Sequence, residues 1–267
     1  MSLKASSKTG NWRSIKKIVS TAALAGLLAG LSLTLVQQWQ VRPLIQQAEL
    51  IEHAASETHE QAQPHQHAHG HTESAAADRP PMHQHADDPH RDQASAQHDE
   101  APWQPAEGTE RLMFTALANI SLAVGFALLL ASALFLHGGA AGWRTGLAWG
   151  LGGYLVFFIA PLIGLPPELP GTVSAPLAAR QLWWISTVAS AAAGLALLVF
   201  GSRSLKIIGV ICMFLPFLIG APHPDVAAEN IPLALTQSFV IATAIANGIF
   251  WLVLGALTAQ FYKKFSE

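Results

Sequence analysis

Charge is what this chain has least of. Only 12% of its 267 residues are Asp, Glu, Lys or Arg, about half the usual share for a soluble domain. Cysteine is nearly absent as well. Cys212 stands alone, which excludes an intramolecular disulfide and a cysteine-based zinc site. It lies in an apolar run and reads as a buried, inert thiol. A formal net charge of −2 leaves no basic footprint for nucleic acid. The chain also lacks a Gly-x-x-x-x-Gly-Lys-[Ser/Thr] loop, a Ser-His-Asp pattern and a membrane His-Glu-x-x-His. It therefore points to no enzyme and to no tightly bound cofactor.

What the chain has instead is apolar residues, 51% of the total, gathered in charge-free runs. The runs are 18–36, 112–136, 145–163, 182–200, 207–219 and 238–261. Lipid cannot satisfy backbone polar groups, so each run is expected to be a helix. The fold class is an all-α integral membrane protein set in a lipid bilayer. Six transmembrane helices arranged as three hairpins are expected, or five if the short fifth run, which contains Pro216, does not cross. The first run follows a basic segment, residues 1–17, but Gln37-Gln38-Trp39 offers no small-x-small cleavage site. It reads as an uncleaved first helix.

Lys and Arg near the helix ends set the orientation. With the N-terminus in the cytoplasm, the inner side receives Lys4, Lys8, Arg13, Lys16, Lys17, Arg144, Arg203, Lys206, Lys263 and Lys264. The outer side receives Arg42, Arg79, Arg91, Arg111 and Arg180. Both termini, 1–17 and 262–267, are thus expected in the cytoplasm. Three loops, 37–111, 164–181 and 220–237, face outward across a cytoplasmic (inner) membrane.

The first outer loop carries the strongest chemical signal. Between His53 and His98 lie ten of the chain's 12 histidines. Imidazole suits Zn, Cu, Ni, Co and Fe as a ligand, and histidines two apart on an extended chain point to one face. His65, His67, His69 and His71 can therefore chelate together, with His83, His85 and His90 completing a shell. Rich in Pro, Ala, Gln, His, Asp and Glu, the segment is expected to be disordered without metal.

Polar groups at the membrane are few. Glu168 sits in Gly164–Gly171, where three prolines in eight residues make a stiff turn. His223 and Asp225, in Ala-Pro-His-Pro-Asp, pair a borderline and a hard ligand two residues apart. Asn119, Gln237 and Asn247 are costly in lipid and should face a neighbouring helix or a watery path. His137 borders an inner loop and reads as interfacial. Small residues four apart (Ala22, Gly26 and Gly30; Gly146 and Gly150; Ala244 and Gly248) allow close helix approach.

The helix ends suggest an internal repeat. Pro43-Leu44-Ile45 with Glu49 beyond resembles Pro161-Leu162-Ile163 with Glu168 beyond, and Pro216-Phe217-Leu218-Ile219 before His223. Arg111 precedes Gly125-Phe126-Ala127-Leu128-Leu129 by 14 positions, and Arg180 precedes Gly194-Leu195-Ala196-Leu197-Leu198 by the same 14. Such a repeat would gather Glu168, His223 and Asp225 around one outer vestibule.

Several of these stretches resemble the CbtA family of predicted cobalt transporter subunits. They are Leu24–Gly30 with Gln37-Gln38, the Pro43-Leu44-Ile45 segment, Gly164–Gly171, Arg180-Gln181-Leu182-Trp183-Trp184 and Gly220–Pro224. The resemblance covers nearly the whole chain. It implies a membrane protein of about five helices that brings in cobalt for cobalamin synthesis beside a small single-helix CbtB partner. It brings no binding residues with it; Glu168, His223 and Asp225 are chosen from their chemistry. The function expected is a divalent-metal importer subunit moving Co²⁺, with Ni²⁺ or Zn²⁺ as alternatives. The competing reading is a membrane-anchored metal-binding or sensing protein without conduction.

Overall fold

The computed structural model describes residues 3–61, 105–106, 108–138, 142–224 and 231–267. Among these every regular element is helical: α1 Leu3–Gln40, α2 Arg42–Gln61, α3 Thr109–His137, α4 Trp143–Tyr154, a π-helical turn Leu155–Ile159, α5 Ala160–Gly164, α6 Leu177–Phe200, α7 Arg203–Ile219 and α8 Leu233–Lys264. Five stretches are long and apolar enough to cross a bilayer: Trp12–Gln40, Thr109–His137, Trp143–Gly164, Leu177–Phe200 and Leu233–Lys264. The chain is an all-α integral membrane protein.

Breaks between helices follow from the sequence. Gly138 closes α3 at φ 65 and donates its N–H to the Phe135 carbonyl, a left-handed geometry that glycine adopts at no steric cost. Pro166, Pro167, Pro170 and Pro176 keep the chain extended between α5 and α6. Pro161 also accounts for the π turn before it. Its ring would clash with the carbonyl four residues back, that of Phe157, and the widened turn at Leu155–Ile159 relieves the crowding.

Lys17 stacks its ammonium 3.5 Å over the Tyr262 ring, so the start of α1 and the end of α8 share one end of the bundle. Leu134, Trp149 and Ala259 join them there. The opposite end holds Val41, Ala48, Leu169, Ile231 and Leu235 in one cluster. α1, α4 and α7 thus run away from the Lys17 end, while α3, α6 and α8 return to it. α7 has 17 residues, about 25 Å of helix, and falls short of the five long spans. It nevertheless runs from one end to the other. Gly209 lies beside Gly194, about three-quarters of the way along α6, and Ala221, just past α7, lies against Gly164.

Close packing does not follow the order of the hairpins. α1 pairs with both α3 and α8, α4 pairs with α8, and α6 pairs with α7. Glycine decides the partners. A Cβ on Gly26 or Gly30 would come within 2.6 Å and 2.5 Å of backbone atoms of Val124 and Ile120. A Cβ on Gly146 or Gly150 would collide with the carbonyls of Gly255 and Trp251, and one on Gly209 would lie 2.8 Å from the Gly194 carbonyl oxygen. These bare backbones let helices touch where side chains would hold them apart. The four-helix group α1, α3, α4 and α8 is tight. The α6–α7 pair leans on it through α5 and the π turn, where Val156 and Ala160 meet Ala191.

The segment after α1 stays helical for longer than its composition suggested. Residues 42–61, expected as part of the disordered segment 37–111, form helix α2 instead. Leu44, Ile45 and Ala48 turn toward the core while Glu52 and His53 stay exposed, an amphipathic pattern that holds a helix against the bundle end.

Candidate functional site

The bundle end opposite Lys17 carries the charged groups that the sequence singled out. Arg111, at the start of α3, donates from Nη2 to Glu49 Oε1 of α2 at 2.6 Å. Arg180, in the first turn of α6, lies 3.4 Å from Glu168 Oε2, and the Ser174 hydroxyl donates to the same carboxylate oxygen at 2.5 Å. The two pairs share a sequence pattern: a carboxylate past the end of an apolar helix, and an arginine 14 residues before a matching Gly-x-Ala-Leu-Leu stretch. The guanidinium planes suit carboxylates well. In both pairs the arginine side chain is 35% exposed and the carboxylate side chain 29%, so water reaches them.

Glu168 and Arg180 line a cleft of about 620 Å³ with Pro166, Pro167, Gln181 and Trp184. The stiff proline turn forms one wall and the first two turns of α6 the other. α2 borders this turn as well: a Cβ on Gly171, which sits at φ 79, would lie 3.3 Å from the Glu52 Cβ. The helix that leads toward the histidine tract therefore rests beside the cleft.

His223 is exposed on the segment after α7, and its neighbour Ala221 lies against Gly164. It is thus at the same end as Glu168. Asp225 and the histidine tract, His65, His67, His69, His71, His83, His85 and His90, lie outside the described residues. Among the described residues no three His, Cys, Asp or Glu side chains come together as a metal site.

Inside the membrane span the polar groups divide by role. Asn119 is buried and donates to Thr34 Oγ1 at 3.0 Å and to Gln37 Oε1 at 2.7 Å, a tie between α3 and α1. Gln237 is exposed near the start of α8. Asn247 donates to the Thr243 carbonyl within its own helix at 3.0 Å. His137 lies at the Lys17 end with its ring 5.9 Å from Trp149 and 5.8 Å from Phe200. Those three rings sit at one end of an apolar groove of about 470 Å³ between α3, α4 and α6. Tyr154, which nothing in the sequence marked, donates its hydroxyl across to the Ala244 carbonyl at 2.9 Å. Its only sequence signal is a phenol placed midway along the charge-free run 145–163.

The family model described as "Probable cobalt transporter subunit (CbtA)" matches residues 15–263. The chain belongs to the CbtA family. No curated protein and no solved structure matched it. The match reaches into every helix described above, and this CbtA protein is a multi-pass membrane protein of a family described as a probable cobalt transporter subunit.

Proposed function

We propose that this CbtA protein is the subunit that takes Co²⁺ from outside the cytoplasmic membrane and passes it inward between its helices, supplying cobalamin synthesis. The observation that carries this reading is the Glu168–Arg180 pair over the cleft. A divalent cation reaching that carboxylate meets a ligand already held by a guanidinium and a hydroxyl. Binding there means exchanging one cation for another. That keeps the carboxylate from being an unpaired charge at the membrane face, and it keeps metal binding weak enough to be reversible.

The orientation is supported by where the basic residues gather. Lys16, Lys17, Arg144, Arg203, Lys206, Lys263 and Lys264 all belong to helix ends on the Lys17 side, and excess basic charge marks the cytoplasmic face. On that reading α7 is a sixth crossing, because only a crossing carries the chain back to the Glu168 end where α8 begins. The histidine tract then lies outside the cell membrane. It raises metal concentration near the mouth, while α2 leads from the tract to the cleft. The chain needs no catalytic step; the driving force comes from a gradient or from another subunit, for which a CbtB-type single-helix protein is the natural candidate.

The test is uptake of radiolabelled Co²⁺ by metal-starved cells lacking their own cobalt importers. Glu168→Gln and His223→Ala are compared with the full chain, with excess Ni²⁺ or Zn²⁺ as competitors. Loss of uptake in Glu168→Gln supports the mouth as assigned. Metal binding without uptake, even with a CbtB-type subunit present, would identify a sensor instead.

A further inference from the structure

We propose that the apolar groove between α3, α4 and α6 binds one anionic phospholipid, with an acyl chain along the groove and the phosphate at Arg144 and His137. The proposal concerns how the bundle is completed by its membrane and stands apart from the route of the metal.

The groove is a gap between the two parts of the bundle. The α6–α7 pair meets the four-helix group where Val156 and Ala160 touch Ala191. From that contact toward the Lys17 end, neither α3 nor α4 packs closely on α6. The space left, about 470 Å³, is lined by residues 129–137 of α3, 148–157 of α4 and the π turn, and 192–200 of α6. Small residues hollow it out: Ala133, Ala148, Gly152, Ala192 and Ala196. The rings of His137, Trp149 and Phe200 stand together at its far end. A gap lined by hydrocarbon forfeits dispersion contacts unless hydrocarbon fills it.

Length decides between a lipid and a partner helix. Nine or ten helical residues span about 12–14 Å, roughly half of the ~30 Å hydrocarbon core. The groove is therefore one leaflet deep. A spanning helix needs a surface of full depth, and the Val156–Ala160–Ala191 contact ends this one halfway. An acyl chain ends there too. Charge decides which lipid. Arg144 sits one turn before Ala148 on the same face of α4. It is exposed and has no acidic partner among the described residues. Its guanidinium lies 5.3 Å from the ring of exposed Trp143, an aromatic anchor at headgroup level. α4 starts at Gly142 without a side-chain cap, which puts the positive end of its dipole at that level. His137 lines the groove from α3 and offers a ring N–H donor. Basic pockets between membrane helices hold anionic headgroups in this way. The orientation proposed above makes this the cytoplasmic leaflet, whose surface is negative.

The experiment is native mass spectrometry and thermal unfolding of the purified, delipidated full-length protein with added phosphatidylglycerol or phosphatidylcholine of the same chains. One phosphatidylglycerol should stay bound and raise the melting midpoint, with phosphatidylcholine retained about fivefold less, the scale of one basic side chain at an anionic surface. Arg144→Gln should erase that preference and, without lipid, melt like the unaltered protein. Ala196→Phe fills the groove and should abolish retention of both lipids. Lys264→Gln, at the same bundle end but on α8, should change nothing. Inorganic phosphate should leave the midpoint where it is, because the chain and not the headgroup alone occupies the site. Unaltered phosphatidylglycerol retention in either Arg144→Gln or Ala196→Phe would overturn the site, as would an equal loss in Lys264→Gln. No retained lipid, with a photo-crosslinker at position 196 capturing a single-helix protein, would give the groove to a partner instead.

Discussion

Arg180 reaches Glu168 across the mouth of the cleft at 3.4 Å, and Glu168 is the carboxylate we propose receives the metal ion. Arginine and metal therefore compete for the same oxygens. Removing the competitor should strengthen metal binding at the mouth. Arg180→Gln is expected to lower the Co²⁺ concentration for half-maximal uptake by about fivefold, the scale of a partly exposed ion pair. Glu168→Gln should raise it. Initial uptake rates against Co²⁺ concentration check both, and opposite signs in the two variants are required.

Deleting residues 65–98 should leave the maximal uptake rate unchanged and slow uptake only when metal is scarce, because a collector changes local concentration and not the path. Imidazole binds metal in its neutral form, with an ordinary pKa near 6.5. The advantage of the intact chain should therefore be full above about pH 7 and fade as the pH falls through about 6. Uptake at limiting Co²⁺, measured for both proteins across that range, gives two curves that converge at low pH.

Asn119→Ala removes two bonds between α3 and α1, to Thr34 and Gln37. The expected loss of stability is about 0.6–2 kcal/mol, the range for polar ties between membrane helices. Thermal unfolding of the detergent-solubilised protein should show it as a lowered midpoint.

Glycines test the packing directly. Gly150→Leu drives a side chain into the α8 backbone at Trp251, whereas Gly125 on α3 has open space around its Cβ position. Gly150→Leu should cost about 1–3 kcal/mol or more, and Gly125→Leu should be nearly neutral. Equal melting midpoints for the two would contradict the α4–α8 contact.

The helices were legible because a charge-free run has one solution in lipid. α2 was hidden by its neighbourhood. Residues 42–61 share the Gln, Ala, Glu and His composition of the histidine tract, yet Leu44, Ile45 and Ala48 form an apolar stripe that the bundle end covers. Composition averaged over the whole segment erases a stripe of that size. The glycine spacings announced close packing but not the partner. Gly146 and Gly150 fit any smooth helix, and only the three-dimensional arrangement brings them to Gly255 and Trp251. At the candidate site, Glu168, Arg180, Glu49 and Arg111 stood out in the sequence as matching positions near helix ends, but their pairing did not. Tyr154 did not stand out, since a lone phenol in a glycine-rich helix looks the same whether it anchors an interface, fills a core or bonds a carbonyl.

α7 has 17 residues and α8 has 32, and a bilayer has one thickness at a time. Around α8 a membrane of ordinary depth is easily covered. On the six-crossing reading proposed above, the same membrane is too thick beside α7 by a few ångströms, so lipid must thin on that flank or the helix ends must pull headgroups inward. The protein thus carries a deep side and a shallow side. Thickening the membrane, with longer acyl chains or sterol, then loads the shallow side alone, at α7.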